Sequence, residues 1–277
     1  MNTQETNIKF ELEKYGFATV DYPQGVTGIV QDAMNAWQKF CQLPLETKSH
    51  FIYTGDSGAG YEYKNETGET KDRKENFHFS LGEMSRLSQV TKENGIDESF
   101  VSSADALLTG IEVSVLNFAQ SLEEQFGIKG LREDVYASKG SWLLRYLHYF
   151  PGAKAGKVIA AHHCDKVSFT MYLQETTPGV EYYSQKREWI SMPILQGKTI
   201  VTPNMQIQYK THGKLKALYH RVVANEKSAI EGRYSIVCFI YCLRTPQYYK
   251  EKYGRLQDMP LAFNYDMPFE EFSKLFI

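Results

Sequence analysis

The 277-residue chain lacks the features that mark several specialised protein classes. It contains no window of about 18 consecutive apolar residues, so we expect no transmembrane helix. Residues 1–6 are polar and do not form the apolar segment of a signal peptide. The 31 basic and 33 acidic residues give a net charge of −2, which indicates neither a nucleic-acid partner nor an anionic membrane.

Cysteine is scarce, and its spacing excludes the common cysteine-based sites. The four cysteines are Cys41, Cys164, Cys238 and Cys242, and no two of them form a C-x-x-C pair. So few cysteines in a chain of this length are typical of a reducing compartment, so we expect free thiols and a cytoplasmic location. Cys238 and Cys242 lie four positions apart, but the sequence offers no further ligands for a metal there.

Aromatic and β-branched residues are abundant, and in the middle of the chain they form short runs. The chain has 19 tyrosines and 16 phenylalanines. Strands are predicted where these runs are separated by Pro, Gly and Asn, at residues 167–173, 180–183, 189–190 and 199–201. Several short strands at this spacing predict a β-sandwich or barrel.

The flanking regions have a more helical pattern. Apolar residues at helical spacing predict helices over residues 26–43 and 97–126. Residues 48–71 are rich in Gly and Tyr and predict a loop or mobile flap, whereas alternation over 77–81 predicts a strand. Residues 268–276 predict a closing amphipathic helix.

Two histidines and an aspartate form a candidate metal site. His163 and Asp165 are two positions apart, so on a strand both side chains point to the same face, whereas His162 points to the other. His220 lies 57 positions after His163 and must come from another strand. Two imidazoles and one carboxylate leave open positions on a metal, an arrangement typical of Fe(II) in oxygen-activating enzymes.

An isolated H-x-D triplet is more often a surface pair or a hydrogen-bonded core histidine than a metal site. The second histidine and the later Arg-x-Ser favour the metal interpretation. A closed zinc site normally has four protein ligands. A zinc hydrolase is disfavoured because no glutamate general base lies beside the ligands.

The motifs, in order, resemble those of the isopenicillin N synthase-like family of non-haem iron, 2-oxoglutarate-dependent dioxygenases. That family carries H-x-D, a distal His followed by Arg-Val, and R-x-S; here they are His163-Cys164-Asp165, His220-Arg221-Val222 and Arg233-Tyr234-Ser235. Residues 144–151 are similar to the family's L-R-L-N-x-Y-P strand, with one extra residue before the Pro. Two departures are Leu147 in place of the family's Asn and a longer, polar segment between His220 and Arg233.

The resemblance implies a mainly β fold with flanking α-helices. Its core is a double-stranded β-helix (jelly roll) with N-terminal and C-terminal helices. We expect a single dioxygenase unit over residues 1–277. Within it, residues 1–130 form an N-terminal helical and flap region, 131–245 the jelly-roll catalytic core, and 246–277 a C-terminal helical tail.

The resemblance also implies roles for individual residues. The catalytic Fe(II) is held by His163, Asp165 and His220, and O2 takes an open iron position. The co-substrate 2-oxoglutarate is bound through Arg233, Ser235 and Tyr149. The planar guanidinium of Arg233 matches a carboxylate bidentately, and Ser235 lies on the same strand face. The expected substrate contacts are Phe77, Phe79, Lys166, Tyr172 and Phe239, although core packing is an equal alternative for the first two.

The implied activity is oxidation of a small-molecule metabolite with release of succinate and CO2, as in secondary metabolism. Hydroxylation, desaturation, demethylation and ring closure are all compatible with it. Two alternatives stay open: an Fe(II) oxidase that does not use 2-oxoglutarate, as isopenicillin N synthase does not, and a non-catalytic jelly-roll binding module. We expect a small-molecule substrate, no nucleic-acid or membrane partner, and a monomer or weak homo-oligomer.

Overall fold

A computed structural model of the chain describes residues 3–53, 58–65, 73–242 and 268–274. The helices are α1 Thr3–Tyr15, α2 Val26–Cys41, α3 Leu45–Ser49, α4 Met84–Glu93, α5 Ser99–Phe126, α6 Leu131–Ala137, α7 Met205–Lys210, α8 Glu226–Glu231 and α9 Phe269–Lys274. The strands are β1 Ala18–Asp21, β2 Gly60–Asn65, β3 Arg73–Phe79, β4 Leu143–Tyr149, β5 Val158–His163, β6 Phe169–Glu175, β7 Val180–Tyr183, β8 Trp189–Ser191, β9 Lys198–Pro203, β10 His220–Val223 and β11 Arg233–Ile240.

Two antiparallel sheets form the core of the fold. The larger sheet has seven strands in the order β1-β9-β6-β11-β4-β3-β2, and the smaller has four in the order β5-β10-β7-β8. Neighbouring strands in both sheets are mostly distant in sequence, as in a jelly roll, where the chain passes repeatedly between the two sheets. The predicted double-stranded β-helix with flanking helices is confirmed.

The N-terminal region contributes more than helices and a flap. Its strands β1, β2 and β3 all join the larger sheet, and β3 pairs with β4 of the predicted catalytic core. The division of the chain at residues 130 and 245 therefore stays a prediction. Residues 54–57 and 66–72 of the predicted flap, and most of the predicted tail, lie outside the described residues.

The long helix α5 is the central support of the larger sheet. By length and composition alone it could cross a membrane. In this fold, however, its apolar side chains are buried against α2 and the sheet, with Leu107, Leu108, Ile111 and Val115 fully enclosed. The core helix of a globular domain has the same composition, so its burial explains its apolar character.

The register of β3 determines which of its side chains face the space between the sheets. Lys74 pairs with Tyr149 and His78 with Arg145, so these four residues share one face of the larger sheet. Phe77 and Phe79 lie on the opposite face, where both are fully buried against helix side chains such as Phe100. The prediction that Phe77 and Phe79 contact the substrate is therefore wrong, and core packing accounts for both.

A buried polar network lies on this helix-covered face. The carboxylate of Glu75 accepts hydrogen bonds from Lys48 Nζ (2.7 Å) and Tyr61 Oη (2.6 Å), and its other oxygen lies 2.7 Å from His148 Nδ1. Burial raises the pKa of Glu75, but the hydrogen bonds from His148, Lys48 and Tyr61 together lower it from 4.5 to about 2. Cys41 completes a set of possible metal donors with Glu75 and His148. The ammonium of Lys48 already neutralises that carboxylate, so the network is structural.

We predict that Glu75→Gln destabilises the fold in a pH-dependent way. The lowered pKa means that ionised Glu75 contributes stability above pH 4.5, and that this contribution disappears as the pH falls from 4.5 towards 2. At pH 7 the variant should lose about 3 kcal/mol of unfolding free energy, because Lys48 is left unpaired in the interior. Urea unfolding at pH 7 and pH 3 measures this, and the difference between wild type and variant should shrink at pH 3.

The matched control is Glu98→Gln, which removes an exposed carboxylate 3.8 Å from Lys92 Nζ. An exposed ion pair contributes little to stability, so we expect this variant to unfold like the wild type at both pH values. Equal destabilisation by the two substitutions would show that the Glu75 network has no special role.

Candidate active site

A cavity of about 130 Å³ lies between the two sheets and contains most of the predicted site residues. His163, Asp165 and His220 line one part of it, and Arg233, Ser235, Tyr149, Tyr172 and Phe239 line the rest. The strands that carry them are distant in sequence, so only the folded jelly roll brings them together.

The two histidines are brought together by strand pairing. His163, the last residue of β5, lies directly opposite His220, the first residue of β10, and their ring centroids are 4.3 Å apart. Nδ1 of His163 lies 2.8 Å from the carbonyl oxygen of Ala161. Nδ1 of His220 lies 3.1 Å from the carbonyl oxygen of Leu218. A carbonyl can only accept a hydrogen bond, so each ring carries its proton on Nδ1 and keeps the Nε2 lone pair for a metal.

Asp165 reaches the histidines from a turn and not from a strand. Strand β5 ends at His163, so the strand alternation expected for His163 and Asp165 does not extend to the aspartate. Asp165 is only 2% exposed, and its Oδ1 lies 3.4 Å from His163 Nε2. The hydroxyl of Thr170 donates to Oδ2 over 2.7 Å. This hydrogen bond holds the carboxylate against the histidines.

The electrostatics of this cluster favour a cation. Burial raises the pKa of Asp165, but His220, His163 and the Thr170 hydroxyl together lower it below its ordinary value. Burial and the neighbouring His163 lower the pKa of His220 to about 4, although Asp165 opposes the shift. Near neutral pH the aspartate is therefore ionised and His220 is neutral, which are the states in which both side chains bind metals.

The residues on either side of His163 point away from the cluster, as predicted. The ring of His162 packs 5.1 Å from that of Tyr219 on the outer side of the smaller sheet. Cys164 is buried in a separate apolar cluster with Met205 and Phe272. Burial raises the pKa of the Cys164 thiol well above its usual value, so this thiol does not compete for the metal.

The donor set fits Fe(II). One donor atom from each of His163, Asp165 and His220 lies within 4.8 Å of the others, and all three residues line the cavity. Two imidazoles and one carboxylate with open positions are the ligand set of non-haem Fe(II) oxygenases.

A second polar group in the cavity is centred on Arg233, which is 1% exposed. Its Nη1 donates to Ser235 Oγ over 3.1 Å, and its Cζ lies 5.6 Å from the centre of the Tyr149 ring. The three residues predicted to bind 2-oxoglutarate therefore lie together at one end of the cavity. Gly179 packs against the guanidinium so closely that a Cβ there would lie 2.8 Å from Arg233 Nε.

Glu175 is a partner of Arg233 that the sequence did not reveal. Arg233 Nη2 donates to Glu175 Oε2 over 2.5 Å, and the carboxylate is almost completely buried. Glu175 ends β6 and pairs with Ser235 of β11. A glutamate near the end of a strand is usually exposed. Only the register of β6 with β11 could therefore have identified Glu175 as the partner of Arg233.

The predicted substrate contacts divide into three groups. Tyr172 and Phe239 line the cavity as predicted. Phe77 and Phe79 lie in the core on the other face of the sheet. Lys166, directly after Asp165 in the turn, is buried and is not among the residues that line the cavity, so its contact with the substrate stays a prediction. Two charged cavity residues, Lys74 and Arg145, were missed because the register of β3 and β4 was unknown.

Comparison with known proteins agrees with this geometry. Residues 141–241, which contain all the strands of the site except β3, match the 2OG-Fe(II) oxygenase superfamily. Over this segment the chain is similar to members of that superfamily. The enzyme class and the cofactor pair, Fe(II) and 2-oxoglutarate, are thereby confirmed. The roles of individual residues, the oligomeric state and the cytoplasmic location stay predictions.

Individual relatives are distant. Mugineic-acid 3-dioxygenase of Hordeum vulgare is 29% identical over 115 residues, 40% of this chain and 33% of that protein. Feruloyl CoA ortho-hydroxylase F6H1-1 of Ipomoea batatas is 22% identical over 82% of this chain and 63% of its own length. The chain thus aligns with less than two thirds of either relative. The 2-oxoglutarate complex of dioxygenase for auxin oxidation 1 from Arabidopsis thaliana has a TM-score of 0.70 at 17% identity, covering 86% of this chain and 87% of that chain.

We predict that Thr170→Val weakens Fe(II) binding by about 10-fold or more, because residues that orient metal ligands typically contribute this much to metal affinity. Valine keeps the shape of threonine but cannot donate to Asp165 Oδ2. Anaerobic calorimetric titration with Fe(II) measures the effect. Thr170→Ser retains the hydroxyl and is the control. If valine and serine bind Fe(II) equally well, the hydrogen bond does not orient Asp165.

Proposed function

We propose that this protein is an Fe(II)- and 2-oxoglutarate-dependent oxygenase that oxidises a small-molecule substrate and releases succinate and CO2. The observation that carries the proposal is that one cavity contains both polar groups: the triad His163, Asp165 and His220, and the pair Arg233 and Ser235. Each group alone has structural explanations, but together they match the two ends of a metal-chelating dicarboxylate.

The triad holds the metal. Fe(II), when bound together with 2-oxoglutarate and O2, supplies the oxidising power needed to attack an unreactive C–H bond. The protein's part is to present Nε2 of both histidines and one aspartate oxygen on the same side of the ion, and to leave the cavity side open. The backbone carbonyls of Ala161 and Leu218 fix both rings, so no reorganisation is needed on binding.

Arg233 binds the distal carboxylate of 2-oxoglutarate in this proposal. Its guanidinium can form paired hydrogen bonds with a carboxylate, and the hydroxyls of Ser235 and Tyr149 are further donors. Glu175 and the tight packing against Gly179 hold the guanidinium in one orientation. The family assignment supports this role, because 2-oxoglutarate is the co-substrate named for the family.

The remaining wall of the cavity binds the substrate and keeps water away from it. Tyr172, Phe239 and Val222 provide much of the apolar surface. A pocket with an apolar wall and a few polar groups suits a small organic molecule. Two relatives are named for oxidation of such molecules, a mugineic-acid 3-dioxygenase and a feruloyl CoA ortho-hydroxylase, and these names support a metabolite as substrate. Hydroxylation is the default outcome, with desaturation, demethylation or ring closure on the same site.

One observation favours a second candidate, an Fe(II) oxidase that does not use 2-oxoglutarate. Glu175 already neutralises Arg233, so a carboxylate arriving there meets a paired guanidinium. Lys74 offsets this, because its Nζ lies 5.5 Å from the Tyr149 ring, at the same end of the cavity. The ammonium of Lys74 adds positive charge at that end, which favours 2-oxoglutarate as the ligand.

We predict that adding Fe(II) and then 2-oxoglutarate to the metal-free protein under anaerobic conditions produces a weak visible charge-transfer band. His220→Ala should abolish the band by removing a metal ligand. Arg233→Ala should retain Fe(II) binding but weaken 2-oxoglutarate binding by roughly 10- to 100-fold, the usual effect of losing a charged hydrogen-bond donor. Calorimetry with Fe(II) and 2-oxoglutarate in turn separates the two effects.

Arg221→Ala is the matched control. Arg221 follows His220 directly, but its side chain pairs with Glu181 outside the cavity. We expect this variant to give the wild-type band. Iron binding without a band in the wild type would favour the 2-oxoglutarate-independent oxidase. Absence of iron binding would favour the non-catalytic binding module.

A further inference from the structure

The guanidinium of Arg233 rests against the β6–β7 loop, residues 176–179. The carbonyl oxygen of Thr177, which is 3% exposed, accepts a hydrogen bond from Arg233 Nε over 3.3 Å. Gly179, two residues later, packs against the same nitrogen, and a Cβ there would also lie 3.0 Å from Arg233 Cδ. The position of this loop therefore sets the position of the Arg233 side chain.

Asn225 fastens the β6–β7 loop from outside. It lies between β10 and β11, directly before helix α8. Its Nδ2 donates to Thr177 Oγ1 over 2.7 Å and to the carbonyl oxygen of Pro178 over 2.6 Å, so both amide hydrogens are used on the loop. The loop is also tied to β10, because the carbonyl oxygen of Gly179 accepts a hydrogen bond from the backbone N–H of Val223 over 2.8 Å.

The side chain of Asn225 also caps helix α8. Asn225 Oδ1 accepts a hydrogen bond from the backbone N–H of Ser228, and Ser228 Oγ accepts one from the backbone N–H of Asn225, each over 2.8 Å. This reciprocal pair is a capping box. The orientation of the amide is fixed, because the Pro178 carbonyl can only accept a hydrogen bond and the Ser228 N–H can only donate one. The oxygen of Asn225 thus serves the helix, and its nitrogen serves the loop.

Helix α8 is anchored at its other end beside Arg233. The carbonyl oxygen of Ala229 accepts a hydrogen bond from the Gly152 N–H over 2.8 Å. The helix ends at Gly232, where a Cβ would lie 2.8 Å from the carbonyl oxygen of Tyr149, and Arg233 is the next residue. Helix α8 therefore connects the residue that holds the β6–β7 loop with the start of Arg233's own strand.

These contacts order the guanidinium before an anion arrives. Glu175 holds Nη2, whereas the β6–β7 loop holds Nε. An arginine that is mobile in the free protein loses conformational freedom when it binds an anion, which weakens binding by about threefold to tenfold. A fixed loop removes this loss, because Arg233 is already in place.

We propose that Asn225 is a positioning residue for 2-oxoglutarate binding. By holding the β6–β7 loop, it keeps the Arg233 guanidinium in the orientation that receives the distal carboxylate. Asn225 is not among the residues that line the cavity, so it acts through Arg233 and not by contact with the co-substrate. This inference rests on the proposed function, which assigns 2-oxoglutarate to Arg233.

The substitution Asn225→Ser separates the two functions of the side chain. Serine caps helices about as well as asparagine, but it has no amide group to hold the loop. Anaerobic calorimetry with Fe(II) and then 2-oxoglutarate measures the two affinities in turn. We expect unchanged Fe(II) affinity, because the triad is untouched, and 2-oxoglutarate affinity that is lower by about threefold to tenfold.

The matched control is Ser228→Ala. It removes the hydroxyl that accepts from the Asn225 N–H, which weakens the cap of α8, but it leaves the Asn225 amide on the β6–β7 loop. We expect this variant to bind 2-oxoglutarate as the wild type does. A loss equal to that of Asn225→Ser would show that the stability of α8 is what matters, and would contradict the inference.

A second measurement needs no ligand. The Nε–H of Arg233 is buried and bonded to Thr177, so its exchange with solvent reports how firmly the guanidinium is held. NMR on metal-free, 15N-labelled protein follows this exchange, and the signal is assigned by its loss in Arg233→Lys. We expect exchange to be faster by about tenfold in Asn225→Ser and unchanged in Ser228→Ala.

The two measurements keep the two proposals apart. If Asn225→Ser binds 2-oxoglutarate as tightly as the wild type, or leaves the exchange of the Arg233 Nε–H unchanged, Asn225 is not a positioning residue. A wild-type protein that binds Fe(II) but not 2-oxoglutarate refutes the proposed function instead. The exchange rate then still decides whether Asn225 positions Arg233.

Discussion

The metal site depends on one pairing between strands, that of β5 with β10. This pairing places His163 opposite His220, and β10 is also bonded to β7 on its other side, so it is fixed from both directions. A slip of β5 by one residue would turn His163 outwards and bring His162 into the cavity. The turn after His163 and the hydrogen bond from Thr170 then complete the site by bringing in Asp165.

The two sheets contribute different chemistry to the same cavity. The smaller sheet and the turn after β5 carry the histidines and the aspartate of the triad, whereas β4 and β11 of the larger sheet carry the cationic side chains Arg145 and Arg233. The larger sheet has stronger support, since α2 and α5 cover its other face and the Glu75 network ties β3 to α3 and β4. This support holds Arg233 and Arg145 in a fixed spacing on the cavity wall.

Features that rest on local pattern were predicted from the sequence. Helix α5 and strand β7 follow from spacing within short segments, whereas the triad and the Arg233–Ser235 pair were indicated by the order of the motifs that resemble the dioxygenase family. Features that depend on the register between distant strands were not predicted from the sequence. The orientation of β3, which turns His78 and not Phe77 towards the inter-sheet face, is set by its pairing with β4. Glu175 was missed for the same reason, and the polar segment after His220 proved to contain helix α8.

The ion pair between Arg233 and Glu175 affects the choice of anion at that end of the cavity. Because the guanidinium has its own counter-ion, the chain can fold before any co-substrate arrives, without leaving a bare charge in the interior. An incoming carboxylate must then compete with Glu175 for the guanidinium. A simple monocarboxylate gains little from that exchange, whereas a molecule that also chelates the metal gains at both ends. Under the proposed function, Glu175 thus favours acids that also chelate the metal over simple monocarboxylates.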